Sequence, residues 1–254
     1  MTPGLRVGLL GGTLDPIHLG HVETARAARV ALALDRVHVL PSNVPPHRAE
    51  QPLASGYHRF AMTALAVDGI DGLLASDLEL AAPGPSYTSD TLTRFGQAEG
   101  LDASQIFFIT GADAFAEIAT WHRYPEVLDL ANFIVVSRPE FPAESLRERL
   151  RSLSERMVSV LPGREPRPFD KLRVVPSEVE GRTANRQSRQ ASVAIFLVDA
   201  RTPDVSSTDI RRRLADGRPI RGLVPEAVER HITQHGLYST DIRSFAADHL
   251  HDEN

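Results

Sequence analysis

A short apolar run, Val7-Gly8-Leu9-Leu10, leads directly into Gly11-Gly12-Thr13-Leu14-Asp15-Pro16-Ile17-His18-Leu19-Gly20-His21. A buried strand that breaks at a glycine turn and re-enters as a helix is the start of a βα unit, and a parallel sheet is the architecture built from such units. The turn gathers backbone N–H groups and the positive end of a helix at one point, and that point attracts phosphate. His18 and His21 are three residues apart, so at the start of a helix they share a face. Gly20 between them lets a ligand approach the helix backbone closely. An isolated histidine pair would read as ordinary helix residues, but beside this turn the two imidazoles suit the phosphates of a nucleotide. Asp15 and Thr13 are expected mainly to shape the turn.

The rest of the chain alternates in the same way. Strands are expected at Arg6–Leu10, Val37–Leu40, Leu73–Ser76, Ile106–Thr110, Asn132–Ser137 and Val193–Val198. Helices are expected at His18–Leu34, Tyr57–Val67, Thr88–Ala98, Thr208–Ala215 and Pro225–His235, with Ser86 or Thr88 capping the third. The expected fold class is α/β, a Rossmann-like doubly wound, mostly parallel sheet with helices on both faces. One domain over residues 1–240 is expected, interrupted by a polar, arginine-rich insertion at about 163–192 and followed by a polar tail at 241–254. A single aromatic residue, Phe169, lies among the insertion's charges, too few for a base-stacking surface, so it reads as a solvated segment and not as a nucleic-acid arm.

Bulk properties narrow the function. The formal net charge of -5 does not point to nucleic acid or an anionic membrane. The absence of cysteine excludes a disulfide framework, a thiolate metal site and a cysteine nucleophile. No apolar stretch approaches the ~20 residues of a membrane span, and no room for a signal peptide precedes the first strand, so a cytoplasmic protein is expected.

The remaining candidates follow strands. In Ser206-Ser207-Thr208-Asp209-Ile210-Arg211, the hydroxyls of Ser207 and Thr208 share a helix face with Arg211 and make an anion site, while Arg212 and Arg213 point elsewhere. Pro45-Pro46-His47-Arg48 is a loop that the prolines keep out of regular structure. Ser86-Tyr87-Thr88-Ser89-Asp90-Thr91-Leu92 reads as a helix start. Gly111-Ala112-Asp113 follows a strand, and Asp113 can accept hydrogen bonds from a ribose or base. Trp121, the only tryptophan, is expected half exposed as a stacking platform.

In this order, Gly11–His21, Asn43–Arg48, Ser86–Leu92, Gly111–Asp113 with Trp121, Ser137–Pro139, and Ser206–Arg211 with Gly236-Leu237-Tyr238 closely resemble the bacterial nicotinate mononucleotide adenylyltransferases. The resemblance covers nearly all of Arg6–Tyr238 apart from the insertion. The histidine motif belongs to the wider nucleotidyltransferase superfamily; the Pro-Pro-His-Arg and Ser-Tyr-Thr segments narrow it to the pyridine-nucleotide branch. It implies formation of nicotinate adenine dinucleotide and pyrophosphate from ATP and nicotinate mononucleotide, with Mg²⁺ delivered on ATP. Gly11, Gly12, Thr13, Gly111 and Asp113 would then bind ATP, His18 and His21 its phosphates, and Ser207, Thr208 and Arg211 its β- and γ-phosphates. His18, His21 and Arg211 would be the catalytic set. His47, Arg48, Tyr87, Thr88 and Trp121 would bind nicotinate mononucleotide, the first two from a loop over the phosphates. Leu14 stands where that family usually has phenylalanine, at a packing position.

Transfer between two bound nucleotides needs alignment and charge neutralisation and no protein nucleophile. The chain accordingly shows no catalytic dyad and no compact carboxylate cluster, so no protein-held metal is expected, and either a monomer or a small homo-oligomer fits. Other readings are an adenylyltransferase for nicotinamide mononucleotide, phosphopantetheine or flavin mononucleotide, a non-catalytic nucleotide sensor, and a dinucleotide-dependent dehydrogenase. Ser86–Leu92 and Trp121 speak against the phosphopantetheine and flavin acceptors, and the retained histidines, the hydroxyls of Ser207 and Thr208, and Arg211 against a sensor. The spacing of Gly8, Gly11 and Gly12 speaks against a dehydrogenase.

Overall fold

The structure is a computed structural model and describes residues 4–46, 52–160 and 193–239. The expected roles of His47 and Arg48, the insertion at 163–192 and the tail at 241–254 lie outside these residues.

Strands β1 (Val7–Gly12), β2 (Arg36–Pro41), β3 (Leu73–Ala75), β4 (Ile106–Gly111), β5 (Asn132–Val136), β6 (Met157–Val160) and β7 (Ile195–Val198) form one sheet of order β3-β2-β1-β4-β5-β7-β6. Every pairing in it is parallel, Leu9 standing opposite His38 on one side and Phe108 on the other. The helices are α1 (Leu19–Leu32), α2 (Gly56–Val67), α3 (Thr88–Glu99), α4 (Ala112–Phe115), α5 (Leu146–Arg149), α6 (Ser207–Ala215) and α7 (Glu226–Gln234).

The central strands are apolar without alternation because both faces are covered. Leu10, Phe107, Ile109, Ile134 and Phe196 pack on one face under Val22 and Ala25 of α1, Met62 of α2 and Val228 of α7. Their chain neighbours Leu9, Phe108, Phe133, Ile195 and Leu197 turn to the other face under Leu92 of α3, Phe115 of α4 and Leu146 of α5. Gly8 is required where it sits: a Cβ there would lie 2.9 Å from both Leu34 and Val37.

Element boundaries differ from expectation by at most two residues, with identifiable causes. Helix α1 starts at Leu19 because His18 holds the extended cap position, and ends at Leu32 because Ala33 turns left-handed (φ 48°). Leu34, expected inside the helix, instead folds back into the core. The cap of α3 is neither Ser86 nor Thr88 but Tyr87, which makes no side-chain cap bond. The Ser86 hydroxyl instead accepts from Asn43 N at 2.8 Å. Strand β6, an edge strand, was not expected. No helix among the described residues is long and apolar enough to cross a membrane.

Candidate active site

The strand order reverses at β1, whose chain neighbour β2 lies to one side and β4 to the other. Above the carboxyl ends of strands at such a point a parallel sheet leaves a crevice. A cleft of about 330 Å³ opens there, lined among others by Gly11, Gly12 and Thr13 after β1 and by Thr110, Gly111 and Asp113 after β4. His21, Tyr87, Thr88 and Trp121 also face it, so residues from four separate chain segments meet in one space.

The turn after β1 is held from below. Arg59 is buried, and its guanidinium donates to the carbonyls of Ala54 (3.2 Å), Thr13 (3.0 Å), Ser42 (2.5 Å) and Asn43 (3.4 Å). One planar fork thus ties the turn after β1 to the loop after β2. Asp15 shapes the turn as expected: its carboxylate accepts from Leu53 N (2.9 Å), Ala54 N (3.1 Å) and the Tyr238 hydroxyl (2.7 Å). Burial and the adjoining Asp15 carboxylate push the Tyr238 phenol far above its ordinary pKa, so it remains a proton donor. Leu14 is buried, in keeping with its packing role, at a positive φ of 50°.

The two histidines do share a face. Their rings stack with centroids 3.8 Å apart. Their environments differ. His21 borders the cleft, and its Nδ1 accepts from His18 N at 3.4 Å, which assigns the proton of a neutral ring to Nε2. His18 is 2 % exposed, and its Nδ1 is buried without a hydrogen-bond partner among the described residues. Burial first, and the Arg138 charge second, lower the His18 pKa to about 3. His18 is therefore neutral at physiological pH, and not the cation that an anion-binding role alone would suggest.

This burial has a measurable consequence. Between pH 6.5 and about 3 the unfolded chain protonates His18 while the folded chain does not. Stability from this group is therefore complete above pH 6.5 and is lost on acidification, by up to about 1.4 kcal/mol per pH unit. Urea unfolding at pH 7.0 and 5.5 should show the native chain losing more stability than His18→Gln; equal losses would mean that His18 titrates normally.

Ser207, Thr208 and Arg211 do not line the cleft; they sit beside the turn at Asp15–Pro16. Arg211 donates to Asp15 O at 2.6 Å and to the Thr208 hydroxyl at 3.3 Å, on the common face expected for them. The Ser207 hydroxyl donates to Pro16 O at 2.9 Å, so its proton is directed at the turn. Ser206 caps α6 by accepting from Asp209 N. Arg212 and Arg213 pair with Asp209, away from this cluster.

On the opposite wall Trp121 is partly buried and meets Phe108 edge-on at 5.9 Å. Tyr87 stacks on His122 at 4.2 Å, and His122 Nδ1 lies 3.1 Å from the Ser89 hydroxyl. Asp113 pairs with Arg138 at 3.4 Å, both partly exposed. A Cβ on Gly111 would fall 2.5 Å from the Asp113 carboxylate and 3.0 Å from Arg138 Nε, so any larger residue there would push this ion pair aside.

Three cleft residues carried no role in the sequence reading. Glu79 is buried, accepts from the Thr91 hydroxyl at 2.7 Å, and has its pKa raised by burial. Arg138 is a cation at the cleft, and His122 backs Tyr87. None belongs to a spaced motif. The one available signal was the Ser137–Pro139 segment that brackets Arg138.

Residues 9–213 match the Cytidylyltransferase-like family model, so fold and site define a nucleotidyltransferase of that family. A probable nicotinate-nucleotide adenylyltransferase from Thermoanaerobacter sp. is 36% identical over 237 residues, covering 93% of this chain and 96% of that protein. One of the same name from Chromohalobacter salexigens is 38% identical over 234 residues, 92% of this chain and 96% of that protein. The chain belongs to the nicotinate-nucleotide adenylyltransferase family. The Plasmodium falciparum nicotinic acid mononucleotide adenylyltransferase complexed with NaAD shares the fold, with a TM-score of 0.63 at 15% identity over 92% of this chain and 98% of that one.

Proposed function

We propose that this protein transfers the adenylyl group of ATP to nicotinate mononucleotide, releasing pyrophosphate and forming nicotinate adenine dinucleotide. The observation that carries the reading is a single cleft at the strand-order reversal, with a glycine turn and imidazole on one wall and an aromatic wall with an open helix start on the other. The relatives at 36% and 38% identity bear the corresponding name.

ATP takes the wall made by Gly11, Gly12, Thr13, Gly111 and Asp113, with its phosphates against His21, which His18 backs from the buried side. Mg²⁺ enters as part of MgATP. The carboxylates of the cleft are already engaged, Asp113 with Arg138 and Glu79 with Thr91, which suits a metal carried on the triphosphate. Arg211, with Ser207 and Thr208, grips the β- and γ-phosphates where α6 starts. Nicotinate mononucleotide takes the wall made by Tyr87, Thr88 and Trp121, with His47 and Arg48 contributing from the loop. Because the Tyr87 side chain does not cap α3, the N–H groups of Thr88 and Ser89 are offered to the pyridine carboxylate, while that of Asp90 donates to Tyr87 O.

A phosphate oxygen of nicotinate mononucleotide then attacks the α-phosphorus in line. The new P–O bond forms as the bond to the bridging α,β-oxygen breaks, and that oxygen leaves on pyrophosphate with the bonding electrons. His21, protonated on Nε2, donates to the α-phosphoryl oxygens as charge builds there, and Arg138 adds positive charge nearby. His18, neutral and buried, positions His21 by stacking against it.

The test is pyrophosphate release from ATP with nicotinate mononucleotide, nicotinamide mononucleotide and phosphopantetheine offered in parallel. Nicotinate mononucleotide should give a kcat/KM roughly tenfold or more above the amide, the scale on which a charged partner group discriminates. Phosphopantetheine should give no release. Preference for phosphopantetheine, or no release with any acceptor, would overturn the proposal.

A further inference from the structure

Helices α2 and α7 pack against each other, and where they meet three imidazoles come together away from the cleft. His58 lies in the first turn of α2, its N–H held by the Ser55 cap at 3.3 Å. His231 lies in the last turn of α7, and His235 occupies the C-cap position four residues on, so the two share a helix face. One ring nitrogen from each of the three lies within 4.8 Å of the others. His58 Nδ1 and His231 Nε2 are only 3.1 Å apart. The rings meet at 47° to 64°, so nitrogens converge where flat stacking would have turned them apart.

A single shared proton satisfies the close His58–His231 pair and leaves the third nitrogen without it. A metal ion satisfies all three. Tetrahedral coordination with bonds of about 2.0–2.1 Å spaces ligand nitrogens by about 3.4 Å, near the distance already present in the closest pair. His235 is exposed and closes the remaining gap by rotating about its side-chain bonds. Three imidazoles without thiolate or carboxylate select a borderline divalent transition ion such as Zn²⁺, Ni²⁺ or Cu²⁺ over Mg²⁺ or Ca²⁺.

We propose that His58, His231 and His235 form a binding site for a divalent transition-metal ion, with water completing the coordination, that clips α2 to α7. The site stands apart from the nucleotide cleft and is independent of the proposed reaction. Its position has structural leverage, since His58 adjoins Arg59 and α7 leads into Tyr238, two residues that hold the turn after β1. The three ligands are invisible as a motif because His58 and His231 are 173 residues apart; only the i, i+4 pair on α7 is local.

The experiment uses the full chain, free of any affinity tag and stripped with EDTA, titrated with Zn²⁺ by calorimetry and followed by thermal unfolding. One equivalent should bind saturably. At a hundredfold excess over Kd the unfolding midpoint should rise by about 5–10 °C, reversed by EDTA. His235→Ala and His58→Gln should each weaken binding roughly tenfold or more and abolish most of that shift. Because His235 is exposed and ends its helix, His235→Ala decides the matter even if His58→Gln fails to fold. Wild-type Zn²⁺ affinity in His235→Ala, or no saturable binding to the native chain, would overturn the proposal.

Discussion

Replacing His21 with alanine should lower turnover at least a hundredfold while leaving the unfolding midpoint nearly unchanged. His21 is partly exposed at the cleft and contributes little to the core, so its loss removes a donor and not a support. A preorganised donor aimed at developing charge is worth about 2.7–4 kcal/mol of transition-state stabilisation, or 10²–10³ in rate. The effect should fall on kcat and on kcat/KM alike, because an interaction that strengthens as the α-phosphorus is attacked contributes little to ground-state ATP binding. Steady-state kinetics with circular dichroism checks both halves. Near-normal turnover in a folded variant would remove His21 from the mechanism.

The second large effect should come from a residue that touches no reacting atom. Arg59→Ala should destabilise the fold by about 3–5 kcal/mol, because it strips four backbone carbonyls of a charged donor and leaves a void beneath the turn. Hydrogen bonds to a charged group are each worth about 1.5–3 kcal/mol, and the carbonyls left behind recover only part of that from water. Where the variant remains folded, KM for ATP should rise more than kcat falls, since Thr13 and Asn43 lose a common tie while the imidazoles stay in place. Urea denaturation measures the first effect, and ATP-dependent kinetics at low temperature the second. Wild-type stability would show that the guanidinium is a bystander.

The contrast between these residues marks what a sequence discloses. His18 and His21 were legible because the chemistry lies in one local run, whose glycines and following helix announce a phosphate turn. The strands β4 and β5 were legible because Ile-Phe-Phe-Ile and Phe-Ile-Val-Val are buried on both faces and carry no polar residue to blur the reading. Strand β6, Met157–Val160, was missed because, among the described residues, it is an edge strand whose only partner, β7, comes long after it in sequence. Glu79 and Arg138 were missed because each is a lone charge whose meaning arises only when distant segments converge. Arg59 offered a signal that went unread. It stands in register with Met62, Thr63, Ala66 and Val67 on the buried stripe of α2, where a charged residue requires an explanation. The cap of α3 was misassigned because the Ser86 hydroxyl serves the neighbouring loop, a tertiary demand that local capping preference cannot register.

The hydrogen bond from Tyr238 to Asp15 spans 223 residues of chain and fastens the first loop to nearly the last described segment. During synthesis, then, the phosphate turn leaves the ribosome 223 residues ahead of its latch and must wait for it. A fragment that stops short of this tyrosine carries every glycine and imidazole of the turn yet lacks the phenol that braces it.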